Sequence, residues 1–295
     1  MRKKFEELDL LDNFLMNAVA SDPNVGEDAC RIIVATLLQR EVGKIKVVAQ
    51  REIPPVSPEK RGIRLDVEVE EDTDDIPDMN IYDIEPHRTP RVPENLPRRT
   101  RFYQAKIDSR RLKRGEKRFQ KLPNLYIINI LDYDPFGYDQ MCYTIRNKCE
   151  EVPGLEYDDG LKIMYFNIKG VKGGNDAIHN LLKFMLNSKA ENVVDDTTRK
   201  MYDYVNLVKE QSEARDRYMT WDEFYDLDIA EAREAGEITK LLKLLCKKLA
   251  KGKDLEQIAD DLEEDVDTIK PLYDVAVKFS PDYDVEKIFE EYKKY

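Results

Sequence analysis

The chain has one tryptophan, two histidines and four cysteines in 295 residues. Cys30, Cys142, Cys149 and Cys246 form no CxxC pair, and His87 and His179 stand apart. That excludes a zinc cluster, and the cysteines read as reduced, wholly or half-buried positions of a cytoplasmic protein. No apolar run approaches the roughly 20 residues of a membrane-spanning helix. The opening MRKKFEELDLLDNFL carries acids where a secretory signal would be apolar. Expected, therefore, is a cytoplasmic protein with no membrane partner.

What the chain has in quantity is charge: 37% of its residues, with 60 acidic and 48 basic, a net of −12. With 41% hydrophobic residues and 34.6 kDa, it can bury one substantial core and carry an accessory domain on long exposed helices. The positive charge is not spread evenly. From Arg98 to Lys121 there are eleven Lys or Arg against Asp108 and Glu116, a net of +9 in an acidic protein. A basic helix to about Gly115 is expected here. It suits an anionic substrate whose backbone must be held close. It also suits a solvated helix with its cations favoured by the dipole.

Just before this run lie two alternating segments. Ile63, Leu65, Val67 and Val69 are predicted on one face of a strand, with Arg64, Asp66, Glu68 and Glu70 on the other. In a second strand Tyr82 and Ile84 oppose Asp83, Glu85 and His87. Paired as a hairpin, these strands set Asp66 beside Glu85. Neighbouring carboxylates repel, so one protonates or a cation sits between them. Mg²⁺ prefers few carboxylates and keeps positions open for water and phosphate oxygens, which is the skeleton of a phosphodiester-cleaving site. The alternation alone also fits a plain solvated face of a half-buried hairpin.

The order of GIRLDVEVE, YDIEPH, LPRRTRFYQAKIDSRRLKRGE and a strand ending in DYDPFG resembles the Rpn family. These are bacterial recombination-promoting nucleases, also labelled transposases, in the PD-(D/E)xK superfamily. The resemblance covers about residues 9 to 190, and the opening LLDNFLMNAVASDPNVGEDACRIIVATLL is similar to the family's first helices. It implies an α/β, restriction-endonuclease-like core over 1–190, a mixed sheet flanked by helices, with an all-helical region over 191–295. It further implies DNA as partner and Mg²⁺ (or Mn²⁺) as cofactor. Asp66 and Glu85 match the acidic metal ligands. His87 stands where the superfamily has Lys and this family often Gln. Tyr103 and Gln104 match the YQ of the following helix, so Asp66, Glu85, His87 and Gln104 form the expected catalytic set. Glu27 is the candidate for an additional acid from an N-terminal helix. Arg98, Arg99, Arg101, Arg110 and Arg111 are candidates for holding DNA. The departure at His87 leaves open a relative weakened in catalysis that binds nucleic acid or a partner.

Along the rest of the chain, Lys44–Arg51 is predicted as a strand, the acids from Glu70 to Asp78 as a solvated turn, and Leu125–Leu131 as a central buried strand. Asp132 and Asp134 read as a strand-end turn. Beyond Asn175 everything reads helical. Leu255–Ile269 resembles a helix-turn-helix with Ile258, Ala259, Leu262, Val266 and Ile269 inward, but eight acids and one Lys between Asp254 and Lys270 oppose phosphate contact. This tail is expected to serve packing or homo-oligomerisation, with Trp221 as a packing residue.

Overall fold

The computed structural model describes residues 3–53, 63–73, 79–88, 95–112, 115 and 117–292, with the backbone alone for 221–234. Two helices open it, α1 (Asn13–Ala20) and α2 (Gly26–Leu38). Between them Asp22 accepts the backbone N–H groups of Asn24 and Val25, at 2.9 and 3.2 Å. Gly26 is required there: a Cβ would meet the Ala20 carbonyl oxygen at 2.3 Å.

Strands β1 (Ile45–Ala49), β2 (Glu52–Ile53), β3 (Ile63–Arg64), β4 (Val67–Asp72) and β5 (Met79–His87) come next. Helix α3 (Leu96–Asp108) precedes β6 (Asn124–Leu131), β7 (Cys142–Ile145) and β8 (Leu161–Asn167). Six strands form one mixed sheet in the order β1-β4-β5-β6-β8-β7, with β5, β6 and β8 parallel and the other neighbours antiparallel. The apolar run of β6 sits in the middle, as a strand buried on both faces must. Val67, Val69, Tyr82, Ile84, Ile128, Ile130 and Phe166 are all buried on one face. Helix α1 packs on β1, β4 and β5, and α2 on β1. On the other face Ile107 of α3 joins Ile81, Leu125 and Ile127, while Leu96 joins Leu131 and Tyr165.

The first expected strand is not continuous. Gln50, at φ 50°, bends the β1–β2 ribbon. Opposite it the chain bends at Leu65 and Asp66, with Gln50 N–H on the Asp66 carbonyl (2.8 Å) and Leu65 N–H on that of Arg51 (2.9 Å). Ile63 and Leu65 therefore pack with Ile81 and Leu125 on the α3 side, not with Val67 and Val69. The acidic turn is also shorter than expected. Glu70, Glu71 and Asp72 continue β4, and Glu71 is buried, bonded to Arg40, Asn80, Tyr82 and the Gly43 N–H. Residues 74–78 lie outside the described residues. Asp134 does form the strand-end turn, accepting from the backbone of Phe136 and Asp139 and from the Tyr143 hydroxyl.

Helices α4 (Asp176–Leu186), α5 (Asp196–Glu210), α6 (Ser212–Leu249), α7 (Leu255–Leu262), α8 (Val266–Ala276) and α9 (Val285–Tyr292) follow. Because α5 packs on α1, α2 and α4, the first compact unit runs to Tyr218, past the residue 190 expected from sequence, and the second spans Met219–Tyr295. The second unit has its own core, in which Leu242, Leu245, Ile258, Ile269, Leu272 and Ile288 are buried. Val266 is 39% exposed rather than inward. The Trp221 side chain lies outside the described residues.

Candidate active site

The bend at Leu65–Asp66 positions the site. It turns the Asp66 backbone N–H onto Glu85 Oε1 of the adjacent β5, at 3.0 Å. Glu85 is 2% exposed. Its other oxygen accepts from Arg99 Nη2 at 3.1 Å. Arg99 reaches it because Asn95 caps α3 through the Arg98 N–H, which fixes where the helix starts. One turn on, the Tyr103 hydroxyl accepts from Arg99 at 3.2 Å, and the guanidinium lies 5.0 Å over its ring.

A third acid stands with these two. Asp83 precedes Glu85 by two residues on the same face of β5, opposite Glu68 in register. It is fully buried, and among the described residues no backbone N–H, amide, guanidinium or hydroxyl group donates to either carboxyl oxygen. Its neighbour is the Glu85 carboxyl itself. Burial pushes the Asp66 carboxyl up to about 6. Burial, then the charges of Asp83 and Asp66, hold Glu85 well above the usual carboxylate range. Burial, then Asp66 and Glu68, do the same to Asp83. Acids set this close, two of them buried, favour a proton or a cation among them.

His87 ends β5 beside this group, with Nε2 3.3 Å from Asn129 Oδ1 on β6. Burial, then the Arg99 charge, lowers its pKa to about 4, so the imidazole is neutral at pH 7. Arg88, the next residue, donates to Asp12 at 2.6 Å. This ties the start of α1 to the end of β5 and brings Asn13 Nδ2 to 3.5 Å from Asp66 Oδ1.

The other expected site residues are placed differently. Glu27 is exposed in the first turn of α2, and α1 brings Asn13 to Asp66. Gln104 bonds Asp108 on its own helix. The helix stops at Asp108, short of Gly115, so Arg110 and Arg111 follow it in a turn. Both fold back on β4. Arg111 lies 2.8 Å from Glu68 and 2.9 Å from Glu70; Arg110 pairs with Glu68, and Arg51 approaches it at 2.8 Å. Arg98 and Arg101 are exposed. Sequence reasoning passed over Asp83, Arg99 as the partner of Glu85, Asn129 and Asn13. Only Asp83 had left a signal, being in phase with Glu85.

Asp66 and Glu85 can serve a hard divalent cation, which needs only one or two carboxylates besides water and phosphate oxygens. The orphaned oxygens of Asp83 fit the same need. Among the described residues no three acidic, histidine or cysteine side chains are already gathered as a metal cage. No helix among them is long and apolar enough to cross a membrane.

Neither curated proteins nor solved structures yield a match to this chain. The family model of the PD-(D/E)XK nuclease family transposase matches residues 32–227, from α2 through the whole sheet and beyond α5. Two-thirds of the sequence thus follows that model, including the bend, the acidic strand and α3, and the chain belongs to the PD-(D/E)XK nuclease family transposases.

Proposed function

We propose that this chain is a DNA endonuclease that hydrolyses phosphodiester bonds with Mg²⁺ or Mn²⁺ held by Asp66 and Glu85. The observation that supports it is the joined pair: a buried Glu85 bonded to the Asp66 N–H, both carboxyls with raised pKa values. Acids held so high at a strand bend are costly to folding and are typical of functional sites. Bound there, the cation would lower the pKa of a water and offset charge on the scissile phosphate.

The protein's own groups supply the rest. Arg99 fixes the outer oxygen of Glu85 and adds a positive charge toward an entering phosphate. His87, neutral and donating from Nε2 to Asn129, keeps Nδ1 as an acceptor. It can take a proton from an attacking water. Arg98 and Arg101, exposed on the early turns of α3, hold the flanking backbone.

Nicking of supercoiled plasmid with Mg²⁺ or Mn²⁺ tests this, with wild type beside Asp66→Ala. Nicking by wild type alone is expected. Plasmid binding without nicking by either protein would favour the reading as a weakened relative that binds nucleic acid.

His87 gives a second expected result. With its pKa near 4, activity should show no step between pH 6 and 7 that belongs to the imidazole. His87→Ala should cost roughly 10²–10⁴-fold if the imidazole moves a proton. Wild-type cleavage by His87→Ala would make the histidine a bystander and leave proton transfer to solvent.

A further inference from the structure

Buried carboxylate oxygens without a donor are rare, because desolvating a charge without a partner is costly. Asp83 has two such oxygens at 0% exposure, and among the described residues the group that can bond them is the Glu85 carboxyl, which does so only while it keeps a proton. The surrounding groups are arranged so as not to relieve it. Glu68, directly opposite, takes Arg51, Arg110 and Arg111 for itself. Glu85, two residues on, takes Arg99 and the Asp66 N–H. The backbone partners on β4 and β6 are engaged in the sheet. What remains next to Asp83 is the Glu85 carboxyl, with Asp66 also near enough to act on its charge.

A hydrogen-bond network internal to the protein would have placed a donor here. Asparagine at this position would pack equally well without the charge. The carboxylate is therefore retained for something that brings positive charge to the inner side of the Asp66–Glu85 pair. A hard divalent cation matches, since it prefers anionic oxygen and tolerates a set of acids that repel one another. Helix α1 offers Asn13 to Asp66, and α2 keeps Glu27 in solvent.

We propose that Asp83 is a third metal-binding carboxylate, supplied by the same strand as Glu85, and that its oxygens turn onto the cation when it binds. This rests on the reading of Asp66 and Glu85 as a metal site. It assigns to β5 both inner acids of that site, and to the Asp83 side chain a part in the cation's affinity.

The test is Mn²⁺ binding by the full-length chain without DNA, followed by calorimetry and by the Mn²⁺ electron-spin signal. Thermal melts in EDTA and in Mn²⁺ accompany it, for wild type, Asp83→Asn and Asp66→Asn. Expected for Asp83→Asn is Mn²⁺ affinity at least 10-fold weaker, a smaller Mn²⁺-induced rise in Tm, and a Tm in EDTA equal to or above wild type. Wild-type Mn²⁺ affinity in Asp83→Asn with weakened binding in Asp66→Asn overturns this proposal and spares the metal site. Wild-type affinity in both variants overturns the metal site itself. A fall in Tm in EDTA for Asp83→Asn, or failure of that variant to fold, also overturns the proposal. The carboxylate would then be engaged inside the protein, with the Glu85 carboxyl.

Discussion

Asp66→Asn should abolish plasmid cleavage and, in EDTA at pH 7, melt higher than wild type. The two effects share one cause. The Asp66 carboxyl ionises at about 6, against an ordinary value of 3.8, so the folded protein resists the charge that the unfolded chain carries freely. Between those values the folded state holds the extra proton, and stability falls as pH rises. The full penalty is present above about pH 6, and at 1.36 kcal/mol per unit it is about 3 kcal/mol. Removing it should raise Tm by roughly 6–12 °C for a unit of this size. Glu85 and Asp83 shift in the same direction, so some pH dependence should survive in the variant, flatter than in wild type. Cation binding has the opposite pH dependence, since a ligand must be ionised. Mn²⁺ should stabilise wild type well at pH 7.5 and poorly at pH 5. Melting curves with and without Mn²⁺ across pH 4–8 check all of this. A Tm in EDTA that drops on Asp66→Asn would mean that Asp66 holds the bend together rather than serving a ligand.

The acidic strands were legible because their signal is local. Period-two alternation placed Glu85, Asp83 and His87 on one face, and the register Val67–Ile84, Glu68–Asp83 and Val69–Tyr82 bears that out. The apolar run of β6 named its central position in the same way. The alternation misled at Leu65. There the bend at Gln50 and Asp66 moves Ile63 and Leu65 onto the α3 side, and nothing in the apolar pattern marks a bend. Composition could not place the arginines. A net of +9 counts charges but not their partners. Glu68 and Glu70, some forty residues earlier in the chain, claim Arg110 and Arg111. Asn13 was illegible for the same reason, since it reaches Asp66 only because Arg88 and Asp12 dock α1 against the end of β5. The region over 191–295 was expected as an accessory because it is helical throughout, yet α5 packs into the first unit.

Reversing Arg111 should unfold the protein long before it informs on DNA. Glu68 is 0% exposed and depends on the cations around it. Arg51 Nε and Arg111 Nη2 each stand 2.8 Å from Oε1, as ion pairs whose angles fall short of hydrogen bonds, and Arg110 pairs with Oε2. Arg111 is itself only 14% exposed and also holds Glu70. Removing one member of a buried pair leaves an uncompensated charge, and losses of about 3–5 kcal/mol are usual. Arg111→Glu, which adds repulsion, should lose at least that much in urea unfolding, and Arg111→Ala somewhat less because Arg51 and Arg110 remain. DNA affinity of folded Arg111→Ala should match wild type, with the same dependence on salt. Arg98→Glu with Arg101→Glu should behave in the opposite way. Both side chains are exposed, so stability should hardly change. Affinity should fall for every sequence alike, and the slope of log K against log salt should shrink by about 2, roughly 0.9 per lost phosphate contact. A stable Arg111→Ala that has lost DNA affinity would place the DNA over the turn after α3, and the Glu68 cluster would then be part of the binding surface rather than of the core.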